Sequence, residues 1–236
     1  MTQVIKTMLP NPNSSNAGYN TVKQALPTRD GPFQHGKAAL LLVDMQRIWL
    51  EPGLDPSHPE RGADHDFYRW TSTVTIPNQK RLLEAARAAG VEVIQTIIQS
   101  LTEDGRDRSL DHKLTPIHVP PSLAEGLPVA DLAPRGDEIL IPKTSSGVFN
   151  STNIDYILKN LGVAQLVIAG IMTDQCVDMA VRDAADRGYL VTCVSDACAA
   201  ETEERHRSAL AAFGGYCWAT DTETVVGRFA ELERSK

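Results

Sequence analysis

From Lys37 onward the chain alternates short, continuous apolar runs with longer stretches in which apolar residues recur at helical spacing. The runs predict strands over 38–43, 91–98, 138–141, 165–170, 189–195 and 216–219. Helical patterns lie near 74–89, 151–161, 175–187, 201–213 and 222–233. Gly90, Gly162 and Gly188 each follow the last periodic residue of a helix, where a left-handed stop is expected. Strands that are apolar throughout, rather than alternating, are buried on both faces. Helices on each side of a parallel sheet provide that burial. Residues 1–36 contain Pro10, Pro12, Pro27 and Pro32 without apolar periodicity and are expected to form an extended arm; 37–236 are expected to be one domain. Two stretches, 51–73 and 99–135, are polar and irregular, and fit lids or specificity loops better than core.

Composition narrows the classes of function. At 236 residues, 42% hydrophobic and 22% charged, the chain suits one large α/β domain. A net charge of -7 argues against nucleic acid or an anionic membrane as partner, because both favour a basic face. No apolar run approaches the roughly 20 residues that span a bilayer, and the polar N-terminus shows no secretory signal, so a cytoplasmic location is expected. The four cysteines have neither metal-ligand spacing nor the density of a disulfide framework. Cys193, Cys198 and Cys217 fall in or beside predicted strands, where a free cysteine serves as a small apolar filler. Only Cys176 falls at a predicted helix start.

Three chemically capable residues share one context. Asp44 follows Leu40-Leu41-Leu42-Val43, Lys143 follows Ile139-Leu140-Ile141-Pro142, and Cys176 lies just beyond Gln165-Leu166-Val167-Ile168. Sites in open α/β folds are built at such strand ends. With Thr173 or Asp174 as N-cap, Cys176 would sit in a first helical turn, where unpaired N–H groups favour a thiolate and can hold an oxyanion. Asp44 is suited to proton transfer, and otherwise to capping a turn. Lys143 beside both would lower the thiol pKa; alone it reads as a solvated loop lysine.

The motifs Leu42-Val43-Asp44-Met45-Gln46, Lys143 with Ser146-Gly147-Val148-Phe149-Asn150-Ser151-Thr152, and Gly170-Ile171-Met172-Thr173-Asp174-Gln175-Cys176-Val177 resemble those of the isochorismatase-like cysteine hydrolases. Arg182-Asp183-Ala184 and Asp196-Ala197-Cys198-Ala199 extend the likeness, which covers roughly 37–230. The resemblance implies a Rossmann-like, three-layer α/β/α sandwich around a six-stranded, mainly parallel sheet, and a homo-oligomer, dimeric or tetrameric. It implies Cys176 as nucleophile, Asp44 as general base and acid, and Lys143 as their electrostatic partner. It also implies a cis peptide between Ile171 and Met172, with the N–H groups of Met172 and Cys176 as oxyanion hole.

Departures from the family pattern shape the expected chemistry. Members that hydrolyse nicotinamide carry a metal-binding Asp-x-His at the second strand end, where this chain has Gln99-Ser100-Leu101. His58, His65, His112 and His118 are scattered without ligand spacing, so neither a metal nor another cofactor is expected. Isochorismate hydrolases lack the cysteine; keeping Cys176 favours amide C–N cleavage through an acyl-enzyme. Gln46, Trp49, Gln99 and Phe149 are candidates for substrate contact, Trp49 equally for core packing and Gln99 equally for a solvent-facing strand end. Arg106 or Arg108 would clamp a substrate carboxylate, unless both belong to a surface ion network with Asp104, Asp107 and Asp111. The expected substrate is a small amide or ureido (N-carbamoyl) compound. Ether hydrolysis of the isochorismatase type and a non-catalytic binding protein that keeps the fold are the alternatives.

Overall fold

The computed structural model describes residues 26–235. Six strands, β1 (Ala38–Val43), β2 (Glu92–Ile98), β3 (Ile139–Lys143), β4 (Gln165–Ile171), β5 (Leu190–Ala199) and β6 (Trp218–Thr220), form one sheet in the order β3-β2-β1-β4-β5-β6. All five strand pairs are parallel. Every residue of β1 and β4 is buried, as their unbroken apolar runs require. The edge strands are less apolar: β3 carries Pro142 and Lys143, and β6 has only three residues. Short edges and a proline discourage pairing with other chains.

Nine α-helical segments accompany the sheet among the described residues: α1 (Arg47–Leu50), α2 (Asp66–Trp70), α3 (Ile76–Ala89), α4 (Leu110–Leu114), α5 (Val148–Ser151), α6 (Ile154–Asn160), α7 (Asp178–Asp186), α8 (Glu203–Phe213) and α9 (Thr222–Arg234). From β1 to β3 the chain moves toward one edge, and from β4 to β6 toward the other. Right-handed crossovers running in opposite directions put α3 and α7 on opposite faces. α9 packs against α3, and α7 lies over β4 and β5. Between β1 and β4 the winding reverses, and the crevice that opens there is where such folds build sites.

Several elements depart from their predicted bounds for local reasons. The helix expected at 74–89 starts earlier, because α2 runs through a π-helical turn, Thr71–Thr75, into α3. Its hydroxyl-rich sequence reads as loop, yet Thr71 Oγ1 donates to the Phe67 and Tyr68 carbonyls and Thr73 Oγ1 to that of Arg69. The helix expected at 151–161 is instead α5 and α6, broken at Thr152, which is extended (φ -141°). Thr152 Oγ1 donates to the Val148 carbonyl and accepts the Ile154 N–H. β5 runs to Ala199, past the expected 195, after a register shift between Ile168 and Gly170. Gly90, Gly162 and Gly188 all have positive φ.

Most of the N-terminal arm lies outside the described residues, but its end is tied to the domain. Phe33 stacks 5.0 Å from Phe229, and Gln165 accepts the Gln34 N–H while donating to the Pro32 carbonyl.

Gly170 governs how closely β4 approaches β1. Its φ is +141°, and a Cβ there would lie 2.3 Å from the Val43 carbonyl oxygen, a backbone atom that cannot step aside. Gly170→Ala is therefore expected to lower stability by at least about 2 kcal/mol. By contrast, Gly227→Ala, in an exposed part of α9 with nothing within 4 Å of the new methyl, should raise it by about 0.5–1 kcal/mol. Paired thermal or denaturant melts check both signs, and equal melting points for the two variants would refute the packing argument.

Candidate active site

The sheet delivers Asp44, Lys143 and Cys176 to the crevice from three strand ends. β1 ends at Val43, and the chain turns out through Asp44 with φ +56°, a left-handed conformation that aspartate tolerates better than most residues. Lys143 closes β3, two strands away, in register with Ile98. Strands lie about 4.8 Å apart, so only a long side chain crosses β2 to reach Asp44. β4 ends at Ile171, followed by a cis Ile171-Met172 peptide and a π-helical turn, Thr173–Val177, that holds Cys176.

All three side chains are almost fully buried: Asp44 2%, Lys143 0% and Cys176 5% exposed. The Lys143 ammonium lies 2.8 Å from Asp44 Oδ2. The ammonium also lies within hydrogen-bond reach of the carbonyls of Ser145 (3.0 Å) and Ser146 (3.1 Å) and of Cys176 Sγ (3.5 Å). Asp44 Oδ1 accepts the Thr96 hydroxyl at 3.0 Å, and Oδ2 faces the Lys143 ammonium. One carboxylate oxygen is thus held by a hydroxyl and the other by a cation. Burial disfavours the charged amine, but Asp44 and Cys176 together hold the Lys143 pKa above its ordinary value, so it stays an ammonium.

The thiol differs from the sequence-based expectation. Burial first, and then the Asp44 charge, push Cys176 up to about 12, outweighing the opposing pull of Lys143. Desolvation and a neighbouring carboxylate both favour the protonated sulfur, against the direction expected from the helix start. Neither Thr173 nor Asp174 caps the turn; its N-cap is Met172, without a side-chain bond. The Thr173 hydroxyl is 2.8 Å from His206 Nδ1, and Asp174 is ion-paired with Arg205. Both bonds onto the Met172 carbonyl come from Gln175 and Val177, the residues on either side of Cys176.

The cleft at the thiol is lined by Asp44, Trp49, Ile98, Ile117, Met172 and Cys176, together with the charged residues Asp55, Arg61, Glu201 and Arg205. Of the expected substrate contacts only Trp49 reaches it. Gln46 is fully buried and saturated: its Nε2 donates to Ile98 and Gly126 carbonyls, and its Oε1 accepts from Trp49 Nε1 and the Ile98 N–H. It braces Trp49 instead. Gln99 is not part of the lining; its backbone N–H continues the ladder to the Lys143 carbonyl. Arg106 points outward and pairs with Asp104. Arg108 braces its own loop, donating to the Gly105, His112 and Ile117 carbonyls. Phe149 packs in the core beside Tyr189, under the Arg187 guanidinium. Asp55, Arg61, Glu201 and Arg205 were not singled out from sequence, because each lies in a polar stretch that reads as solvated surface.

Among the described residues, no group of three or more His, Cys, Asp or Glu side chains is placed to hold a metal ion. Nor is any helix long and apolar enough to cross a membrane. His112 is fully buried, with Nε2 3.2 Å from the Ser146 hydroxyl; burial and the nearby Lys143 charge lower its pKa.

An all-parallel sheet with this strand order and a strand-end Asp, Lys and Cys defines an isochorismatase-like α/β hydrolase. A family model described as the isochorismatase domain matches residues 38–224, and the chain belongs to that family. A probable inactive nicotinamidase of Arabidopsis thaliana is 33% identical over 71% of this chain and 83% of its own length. Ureidoacrylate amidohydrolase RutB of Rhizobium rhizogenes is 29% identical, over 77% of this chain and 80% of its own. A cysteine hydrolase from Pseudomonas syringae superposes with a TM-score of 0.74 at 25% identity, over 89% of this chain and all of its own. Relatives of the chain thus include hydrolases of amide C–N bonds.

The buried charges fix opposite signs for two measurements on one variant. Alkylation of wild-type Cys176 should still be rising above pH 10, where an ordinary thiol of pKa about 8.5 has levelled off. Asp44→Asn removes the charge that holds the proton and leaves Lys143 free to pair with sulfur. Its Cys176 should be alkylated at least about tenfold faster at pH 8 than wild type. Iodoacetamide rates followed by peptide mass across pH test this; a slower Asp44→Asn reaction would overturn the electrostatic assignment.

Proposed function

We propose that the chain is a metal-independent cysteine amidohydrolase, cleaving the C–N bond of a small amide or ureido compound through a thioester. The observation that carries the reading is the buried Asp44 carboxylate paired with the Lys143 ammonium at 2.8 Å, with Cys176 Sγ 3.5 Å from the same ammonium. A resting thiol must lose its proton as it attacks, and Asp44 is the base within reach. Sulfur bonds to the substrate carbonyl carbon while the proton passes to Asp44. The carbonyl π electrons move onto oxygen, which the Met172 and Cys176 N–H groups would hold. On collapse the C–N bond breaks, and the leaving nitrogen takes the proton from Asp44 and departs as ammonia or amine. Water then gives a proton to Asp44 and attacks the thioester carbonyl; the C–S bond breaks and sulfur recovers its proton. Lys143 remains an ammonium throughout, balancing negative charge as it moves between carboxylate and sulfur.

Trp49 and Ile117 give the cleft an apolar wall suited to a planar amide or ureido group, and a relative named for a ureido substrate supports that class. Retention of the cysteine favours C–N cleavage over the vinyl-ether hydrolysis of isochorismatases.

Ammonia release from a panel of small ureas and carboxamides is the direct test. Cys176→Ala and Asp44→Asn should each lower kcat by at least about 10³-fold, because residues acting as a unit fail together. Dialysis against a strong chelator should leave the rate unchanged. A mass shift on Cys176 matching the acyl group should appear in quenched reactions. Turnover that survives in Cys176→Ala, or that returns only when metal is restored, would defeat the reading.

A further inference from the structure

We infer that the cleft selects substrates whose non-reacting end is neutral or cationic and offers N–H or O–H donors, and that it disfavours a carboxylate there, with Glu201 setting the preference. The inference rests on the proposed hydrolase reading for the word substrate, but its physical basis is the charge of the cleft alone. Arg106 and Arg108, the arginines that would have clamped a carboxylate, are engaged outside it. Two other arginines line it, and neither is free. Arg61 donates from Nε and Nη2 to the two oxygens of Glu201, and from Nη1 to Asp55 Oδ2 at 3.2 Å. Its guanidinium also lies over the Phe67 ring, 5.1 Å from the centroid. One guanidinium thus faces two carboxylates; His65 Nε2 also lies 3.8 Å from Glu201 Oε1, so the cluster carries one excess negative charge wherever that imidazole is neutral. Arg205 is neutralised by Asp174, and Lys143 by Asp44.

Exposure identifies the member of the cluster that meets a ligand. The side chains of Arg61 and Asp55 are 2% and 3% exposed, while that of Glu201 is 20% exposed. Arg61 and Asp55 therefore act as a buried mount for the Glu201 carboxylate, which lines both this cleft and the neighbouring groove that holds His65 and Trp70. Each Glu201 oxygen keeps acceptor capacity beyond its bond to Arg61. The same cleft is also lined by the Asp44 carboxylate, 2% exposed and matched by the Lys143 ammonium, so it adds no free cation. The surrounding groups reinforce the sign. At the rim His58 is paired with Glu60, and the adjoining groove adds Asp111 and Asp178, the latter balanced by Arg182. A carboxylate entering here meets like charge from Glu201 and no unmatched cation; an ammonium, amine or hydroxyl meets acceptors.

Charge-matched thiol reagents test this without requiring turnover. The full chain is treated with 2-(trimethylammonio)ethyl methanethiosulfonate and with 2-sulfonatoethyl methanethiosulfonate. Rates at Cys176, located by peptide mass, are normalised to those of a small free thiol. The cationic reagent is expected to be at least about tenfold faster, and Glu201→Gln to cut that ratio by at least about threefold. Glu223→Gln, an equal change in net charge at an exposed residue of α9, should leave it unchanged. Equal rates, a faster anion, or no labelling of Cys176 by the cation overturns the inference. In parallel, ammonia release is compared for (2-aminoethyl)urea, (2-hydroxyethyl)urea and N-carbamoylglycine. The first two should exceed the third in kcat/KM by at least about tenfold, and Glu201→Gln should narrow the gap. Preference for N-carbamoylglycine would overturn the inference while upholding the hydrolase. No ammonia or amine from any of the ureas or carboxamides, with the reagent ratio intact, would defeat the hydrolase reading and leave the charge selectivity standing.

Discussion

The buried ion pair between Asp44 and Lys143 is the constraint around which the crevice is organised. Taking two charges out of water costs several kcal/mol per ion, and only close contact with further hydrogen bonds offsets it. That requirement accounts for much of the surrounding geometry. Thr96 steadies one Asp44 oxygen, and the loop after β3 turns two carbonyls, those of Ser145 and Ser146, onto the ammonium. The loop in turn is held from outside by buried His112. A pair built this way is weak evidence of stability. Its consequence here is that a carboxylate and an ammonium are fixed close to one sulfur.

Strands and helices were readable because burial on both faces leaves a plain mark in sequence. The runs ending at Val43 and Ile171 are apolar throughout, and the glycines closing helices sit at positive φ. Asp44, Lys143 and Cys176 were readable for the same reason: a polar group at the end of a buried run needs an explanation. Other features lacked such a mark. Thr71 and Thr73 look like loop formers until their hydroxyls are seen bonding back to the helix. Gln46 is the last residue of the strand-end motif Leu42–Gln46, and only its neighbours show that all its polar atoms are engaged within the fold.

The cleft wall was the least legible part. Asp55 and Arg61 lie six residues apart but Glu201 is 140 residues beyond Arg61, and nothing local distinguishes a buried arginine from a solvated one. The cluster Asp104-Gly105-Arg106-Asp107-Arg108 attracted attention because it is locally rich in charge. Density along the chain says nothing about direction, however, and the loop turns both arginines away. Specificity in this fold is written by loops after strand ends, whose conformations depend on long-range partners such as the Arg61–Glu201 contact.

The high pKa of Cys176 has a bearing on how the protein ages. Peroxides and disulfides attack thiolates, and their reactions with the protonated thiol are far slower. Burial and the Asp44 charge, which both push the Cys176 thiol up, therefore act in the direction of slower sulfenic and sulfinic acid formation.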